Sequence, residues 1–319
     1  MNRFAIGADL GGTNLRLAAI EENGRLIEKV VLEVRSLGHR DAAVEALCQN
    51  ARVLARKHGG GRQFAGLGAG IPGILDAGAG ILRQSPNLPG WENFAVREAL
   101  QSRLEAAIAL DNDANAAALG ETWLGAGRTV ASLCLLTLGT GIGGGLVLDG
   151  KVWRGFLGMA GEVGHIGVRE NGEPCGCGSR GCLETEASAT AVVRKARQLL
   201  AAEKSPALAE RIRSGSSLTA ELVYQLAQEG DAACRDLFAS VGRFLGLGLS
   251  MLVNTLNLPL YLLGGGMAEA WPLFAPALLE ELGRRSYVFA QGGTRVERAQ
   301  LGADAGLYGA AALVLRQPA

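Results

Sequence analysis

Apolar residues fall into short continuous runs that end on glycine turns, and this pattern predicts most of the elements. Residues 4–9 (FAIGAD) form such a run and enter the turn Gly11-Gly12. Leu15 to Ile20 resumes as a strand, and Asn23-Gly24 has the composition of a hairpin turn with positive φ at both central residues. A third strand is expected over about 26–34. Between 41 and 58 the period changes: Val44, Leu47, Ala51, Leu54 and Ala55 recur at helical spacing, with Asp41 as the expected N-cap and Gly59-Gly60-Gly61 as the stop. Residues 64–71 and 106–110 read as buried strands, and the alanine-rich stretch 114–124 as a helix.

The opening unit then recurs. Residues 133–138 (LCLLTL) run into the glycine turn GTGIGGG, Leu146 to Leu148 resumes, Asp149-Gly150 makes a second Asx-Gly turn, and Lys151 to Arg154 supplies a third strand. Two such units predict an α/β architecture of two similar domains, one over 1–112 and the other over 113–302, with a hinge near 111–113. The remainder is mainly helical, over 188–202, 219–229, 231–256 and 270–284. Short strands are expected at 260–263, stopped by Gly264-Gly265-Gly266, and at 294–301. A last helix at about 303–319 is placed to complete the first domain.

Composition narrows the class. The 319 residues suffice for two ordinary cores. With 48% hydrophobic and 19% charged residues the chain is a globular protein, and its formal net charge of +0 offers no basic excess for a phosphate backbone. Nucleic acid is therefore not an expected partner. The N-terminus lacks the apolar core of a signal peptide, and the other apolar stretches stop short of the ~20 residues that cross a bilayer. A cytoplasmic location without membrane contact is expected. The 47 glycines are far above the usual ~7% and are not periodic.

Three glycine loops are candidate phosphate or nucleotide contacts, because backbone amides without a Cβ approach an anion closely. They are Gly11, Gly12, Thr13 and Asn14 behind Asp9, which is placed to hold Mg²⁺; Gly139, Thr140 and Gly141; and Gly264, Gly265 and Gly266. Gly139, Gly141 and Gly144 match the spacing GxGxxG, but the following LVLDGKVW reads as a hairpin instead of the helix a dinucleotide site needs. No GxxxxGK[ST] occurs, which excludes a Walker site. Of the six cysteines, Cys175, Cys177 and Cys182 cluster behind His165 as H-x9-C-x-C-x4-C, three thiolates and an imidazole that complete a closed tetrahedral shell for structural zinc. Glu162 and Glu184 flank these ligands. Asp113, within DNDAN after the strand at 106–110, falls at a helix N-terminus, where the macrodipole favours an ionised carboxylate. It is both a candidate proton acceptor and a candidate cap.

The segments DLGGTN, DNDANAAALGE, GTGIGGG, GEVGH and CGCGSRGCLE together resemble the ROK family of repressors, open reading frames and kinases, over nearly the whole chain. The resemblance implies an actin-like, ribonuclease H-like ATPase fold, two duplicated domains around a cleft. It implies ATP-dependent phosphorylation of a hexose, with Asp113 as the base and Asn87, Asn112, Glu162, His165 and Glu184 holding the sugar. His165 would use its other nitrogen on zinc. Glucose, leading to glucose 6-phosphate, is the first expected substrate, and N-acetylglucosamine, N-acetylmannosamine and fructose remain open. The family also contains sugar-responsive repressors, whose DNA-binding domain precedes the first phosphate loop; here that loop begins at Asp9. A homodimer or homotetramer is the expectation the family brings.

Overall fold

The computed structural model describes residues 2–316, and the backbone alone for Arg35 and Ser36; of the final helix expected at 303–319, residues 317–319 lie outside the described residues. The first apolar run is buried on both faces because it lies at the centre of a sheet. This strand, β1 (Arg3–Leu10), pairs antiparallel with β2 (Asn14–Glu21), which pairs antiparallel with β3 (Leu26–Glu33). Of the β2–β3 turn residues only Gly24 has positive φ, 89°, and a register shift follows between Ala19 and Ile20. The connection is thus a bulged turn, unlike Asp149-Gly150, where both residues are left-handed.

Helix α1 (Arg40–His58) starts one residue earlier than the periodicity indicates, because the His39 ring accepts from the Ala42 N–H and caps it; Asp41 sits in the first turn. Strand β4 (Gln63–Ile71) then pairs parallel with β1. A small sheet of β5 (Ile74–Asp76), β6 (Ile81–Gln84) and β7 (Phe94–Ala95) and the short helix α2 (Val96–Gln101) intervene before β8 (Ile108–Asn112), which is parallel to β4. The principal sheet has the order β3-β2-β1-β4-β8.

Helix α3 (Asp113–Leu124) leads to a second sheet, built from β9 (Leu133–Leu138), β10 (Ile142–Leu148) and β11 (Lys151–Val152). Gly143 to Gly145 belong to β10 and not to the turn, so the hairpin is tighter than the glycine run implies. A long irregular stretch reaches α4 (Leu183–Ala187), followed by α5 (Ala189–Ala201), α6 (Pro206–Arg213), α7 (Ala220–Glu229) and α8 (Ala232–Leu256). Ser188, Ser205, Thr219 and Asp231 cap α5 to α8 in turn. Strand β12 (Leu260–Gly264), α9 (Trp271–Arg285), α10 (Tyr287–Ala290), β13 (Arg295–Arg298) and α11 (Ala305–Leu315) complete the chain. The second sheet has the order β11-β10-β9-β12-β13, so both five-stranded sheets follow the same succession of neighbours.

The chain forms two compact units, one of residues 1–135, 145–161 and 299–319, the other of 136–144 and 162–298. In the first, α1 covers one face of the principal sheet through Val44, Leu47 and Leu54, and α11 covers the other through Leu307, Ala311 and Leu315. In the second, α8 packs along α9. By length and composition α8 can cross a bilayer, but 61% of its apolar window is buried in this fold, where it acts as a core helix.

Glycine here does more than turn corners. A Cβ on Gly68 in β4 would lie 1.7 Å from the Ala310 carbonyl oxygen, and one on Gly309 would lie 1.5 Å from that of Ala116. Helix α11 therefore touches both the sheet and α3 backbone to backbone, and no rotamer change relieves a clash between main chains. Gly309→Ala is expected to destabilise the protein by about 3 kcal/mol or more, measured by urea unfolding, whereas Gly283→Ala, whose Cβ meets nothing within 4 Å, serves as the helix control that should not.

Candidate active site

Strand β8 delivers three polar residues in a row to the start of α3, and each takes a different task. Asn112 is the N-cap: its side-chain oxygen accepts from the N–H groups of Ala114 and Asn115, and its amide donates to the Gly73 carbonyl at 3.1 Å. Asp113 is the first helical residue, half-buried, with one carboxylate oxygen accepting from the Ala114 N–H. Asp111 is fully buried, accepts from the Asn115 side chain at 3.0 Å, and is held by Arg154 through Nε at 3.0 Å and Nη2 at 2.5 Å. Capping thus falls to Asn112, which leaves the Asp113 carboxylate at the positive end of the helix.

In the same unit, Asp9 is the penultimate residue of β1 and a buried carboxylate. Arg16 donates to it at 2.5 Å and to the Ala303 carbonyl at 2.6 Å. Burial raises the Asp9 carboxyl above the usual aspartate value, against the opposing pull of Arg16. The turn after it closes by a Gly11 N–H to Asn14 carbonyl bond at 2.8 Å. Gly12 lies against Asn87, whose carbonyl oxygen would be 3.0 Å from a Cβ at that position. Asn87 is itself exposed, its loop anchored by buried Leu88 and Trp91.

The second unit brings together the cysteine cluster and two glycine loops. The ligand atoms of His165, Cys175, Cys177 and Cys182 all lie within 4.8 Å of one another. Cys175 Sγ is 3.5 Å from His165 Nδ1, and Cys177 Sγ is 3.7 Å from Cys182 Sγ. Tetrahedral zinc with ordinary bond lengths requires S···N of about 3.5 Å and S···S of about 3.8 Å. The residues fit the ion. Burial pushes the Cys182 thiol up to about 12, so the three cysteines would ionise together only beside a cation. With Nδ1 toward the sulfurs, His165 Nε2 faces Glu162 at 3.7 Å.

Glu184 spends one carboxylate oxygen on the Ile142 N–H at 2.9 Å, and a Cβ on Gly141 would lie 2.1 Å from that oxygen. Gly141 is thus glycine because a carboxylate occupies its side-chain space. Its neighbours are held too: Thr190 donates to the Thr140 carbonyl at 2.7 Å, and the Ala189 N–H to that of Gly139 at 2.9 Å. At the end of β12, Gly265 has φ 82° and packs on the Leu138 carbonyl, which sets Gly264 to Gly266 beside the 139–141 loop.

The predicted residues therefore assemble as two groups. Asp9, Gly11 to Asn14, Asn87, Asn112 and Asp113 belong to the first unit; Gly139 to Gly141, Glu162, His165, the cysteines, Glu184 and Gly264 to Gly266 belong to the second. Three polar residues escaped the sequence reading. Arg16, a cation inside the apolar strand LRLAAI, carried a visible signal; Asp111 and Arg154, 43 positions apart, carried none as a pair.

The ROK family model matches residues 5–317, and the chain belongs to that family. The glucokinase of Halalkalibacterium halodurans is 33% identical over 99% of this chain and 96% of its own length. Among solved structures, the ROK hexokinase of Thermus thermophilus is 36% identical with a TM-score of 0.82, covering 98% of each chain. A ROK family glucokinase from Streptomyces griseus, in complex with glucose and AMPPNP, is 31% identical with a TM-score of 0.82, over 98% of this chain and all (100%) of that one.

Arg154→Ala strands a buried carboxylate, and urea unfolding is expected to show a loss of about 2–3 kcal/mol. The double variant Asp111→Asn with Arg154→Ala should recover part of it, and a single variant as stable as the parent would remove the pair from the account.

Proposed function

We propose that this chain transfers the γ-phosphoryl group of ATP to a hexose hydroxyl, with glucose as the preferred sugar. The observation that carries the reading is the placement of Asp113 at the first position of α3, relieved of capping by Asn112. Support comes from full-length likeness to glucokinases and from the relative that holds glucose and AMPPNP.

In this reading the Asp113 carboxylate takes the proton of the attacking hydroxyl as its oxygen bonds to the γ-phosphorus. The bond from that phosphorus to the bridging oxygen breaks, and ADP leaves. General-base assistance of this kind contributes ~10²–10⁴-fold, and the rest is positioning and charge. Asn87, Asn112, Glu162, His165 Nε2 and the second oxygen of Glu184 hold the sugar hydroxyls. The loops at Gly11 to Asn14 and Gly139 to Gly141 face the phosphates, and Gly264 to Gly266 the adenosine. Asp9 would hold Mg²⁺, which offsets phosphate charge when bound. His165, Cys175, Cys177 and Cys182 would hold zinc, whose filled shell supplies rigidity and no chemistry.

The matching sheet orders support domains that arose by duplication; the first compact unit extends past the expected division near 112 to residue 135 and is completed by α11. A cytoplasmic homo-oligomer fits the same assignment.

Asp113→Asn should lower kcat by at least ~10²-fold while the dissociation constant for glucose stays within a few-fold of the parent's. Turnover near the parent's overturns the base assignment. A coupled ADP-release assay over glucose, fructose, N-acetylglucosamine and N-acetylmannosamine should give glucose the highest kcat/KM, and preference for an N-acetylhexosamine reassigns the substrate.

A further inference from the structure

Beside the cysteine cluster, between its loop and α5, lies a polar cavity of about 220 Å³. Four cations line it, Arg169, Arg180, Arg194 and Lys195, together with Glu173 and Gln198. The chain as a whole has a formal charge of +0, so this concentration is local.

The partners of these cations do not neutralise them. Arg194 is satisfied by Glu173 at 2.9 Å and the Thr185 carbonyl at 2.7 Å. Lys195 lies 3.1 Å from the buried Glu186 carboxylate, which Arg169 reaches only at 3.4 Å. Arg180 is exposed and in no ion pair among the described residues. Two carboxylates thus face four cations, which leaves two positive charges in a concave polar site. Burial also draws the Lys195 ammonium below the usual lysine value, against the pull of Glu186, a strain that a bound anion relieves. The excess matches a doubly charged group with several acceptor oxygens, and two guanidinium forks offer it paired N–H donors.

A second cavity of about 480 Å³ shares Lys195 and Gln198 with the first; Leu199, Ala202, Ala233 and Leu237 form its apolar wall, and Lys204 and Asp236 add one charge of each sign, so the excess of two is unchanged. The two cavities adjoin at these shared residues. We propose that this double cavity binds a phosphorylated small molecule, its phosphoryl group between Arg169, Arg180 and Lys195 and its remainder along Leu199 and Leu237. None of these residues was assigned above to ATP, sugar or zinc. Arg180 lies between Cys177 and Cys182 in the chain, so occupancy bears on the loop that ends at Glu184. That regulatory consequence rests on the kinase reading; the binding itself does not.

Calorimetric titration of the zinc-replete full chain, with glucose and AMPPNP saturating, tests the site. Inorganic phosphate, glucose 6-phosphate and ADP are titrated separately, and the tightest ester names the source. Arg180→Ala removes a donor, and Gln198→Glu adds a negative charge from an exposed helix position. Each should weaken ester binding at least tenfold, with the thermal midpoint and the kcat measured without ester unchanged. The titration reads the cavity whether or not the chain turns over sugar. Ester binding that survives both substitutions, or no binding from any of the three, overturns the proposal.

Discussion

The constraint on which most of the second unit depends is the convergence of four side chains, His165, Cys175, Cys177 and Cys182, within 4.8 Å. From Trp153 to Cys182 the chain has little regular structure, a 3₁₀ turn at Val163–His165 and the isolated bridges Gly167–Cys182 and Pro174–Arg180. Its backbone hydrogen bonds are turn and bridge contacts such as Val168 to Gly181 and Cys175 to Ser179, not the repeating ladder of a helix or sheet. Joining it at four points through one zinc ion, as proposed, would supply what secondary structure does not. The consequences run along the chain: Cys182 starts α4, α4 presents Glu184, and Glu184 holds the Ile142 amide of the glycine hairpin. The loop that would hold sugar and the loop that would hold phosphate are therefore set by one anchor.

The first unit reaches comparable rigidity by a different route. Its anchors are main-chain contacts, α11 against β4 at Gly68 and against α3 at Gly309. Because α3 and α11 meet without intervening side chains, the start of each helix is fixed relative to the principal sheet. Asp113 opens α3, Asp9 lies next to the end of β1, and Gly306 in α11 lies against the Asp9 carboxylate, where a Cβ would be 3.1 Å from Oδ2. The ion pair of Asp111 with Arg154 adds a polar tie at the same corner. Small residues are thus a positional requirement, and this accounts for part of the glycine excess.

Much of this was legible in the sequence, and the reason is locality. The strands around each glycine turn, the helices over α5, α7 and α8, and the spacing of the cysteine cluster are written within short windows. The boundary differences follow from specific contacts: His39 displaced Asp41 as the cap of α1, and Asn112 took the cap that Asp113 was a candidate for. Helix α6 and the small β5–β6–β7 sheet were not foreseen, since short elements leave too little periodicity to recognise. What no window holds is pairing across distance. That Arg154 serves Asp111, and that Gly141 is small to admit Glu184, depends on the fold having already brought them together.

The central claim is that a zinc-held loop positions the sugar contacts while Asp113 performs the proton transfer. Metal content and glucose affinity, measured on one sample before and after chelation and again after zinc is restored, test it directly. The account predicts about one zinc per chain, loss of glucose binding when it is removed, and recovery on its return. A zinc-free protein that binds glucose as tightly as before would contradict it.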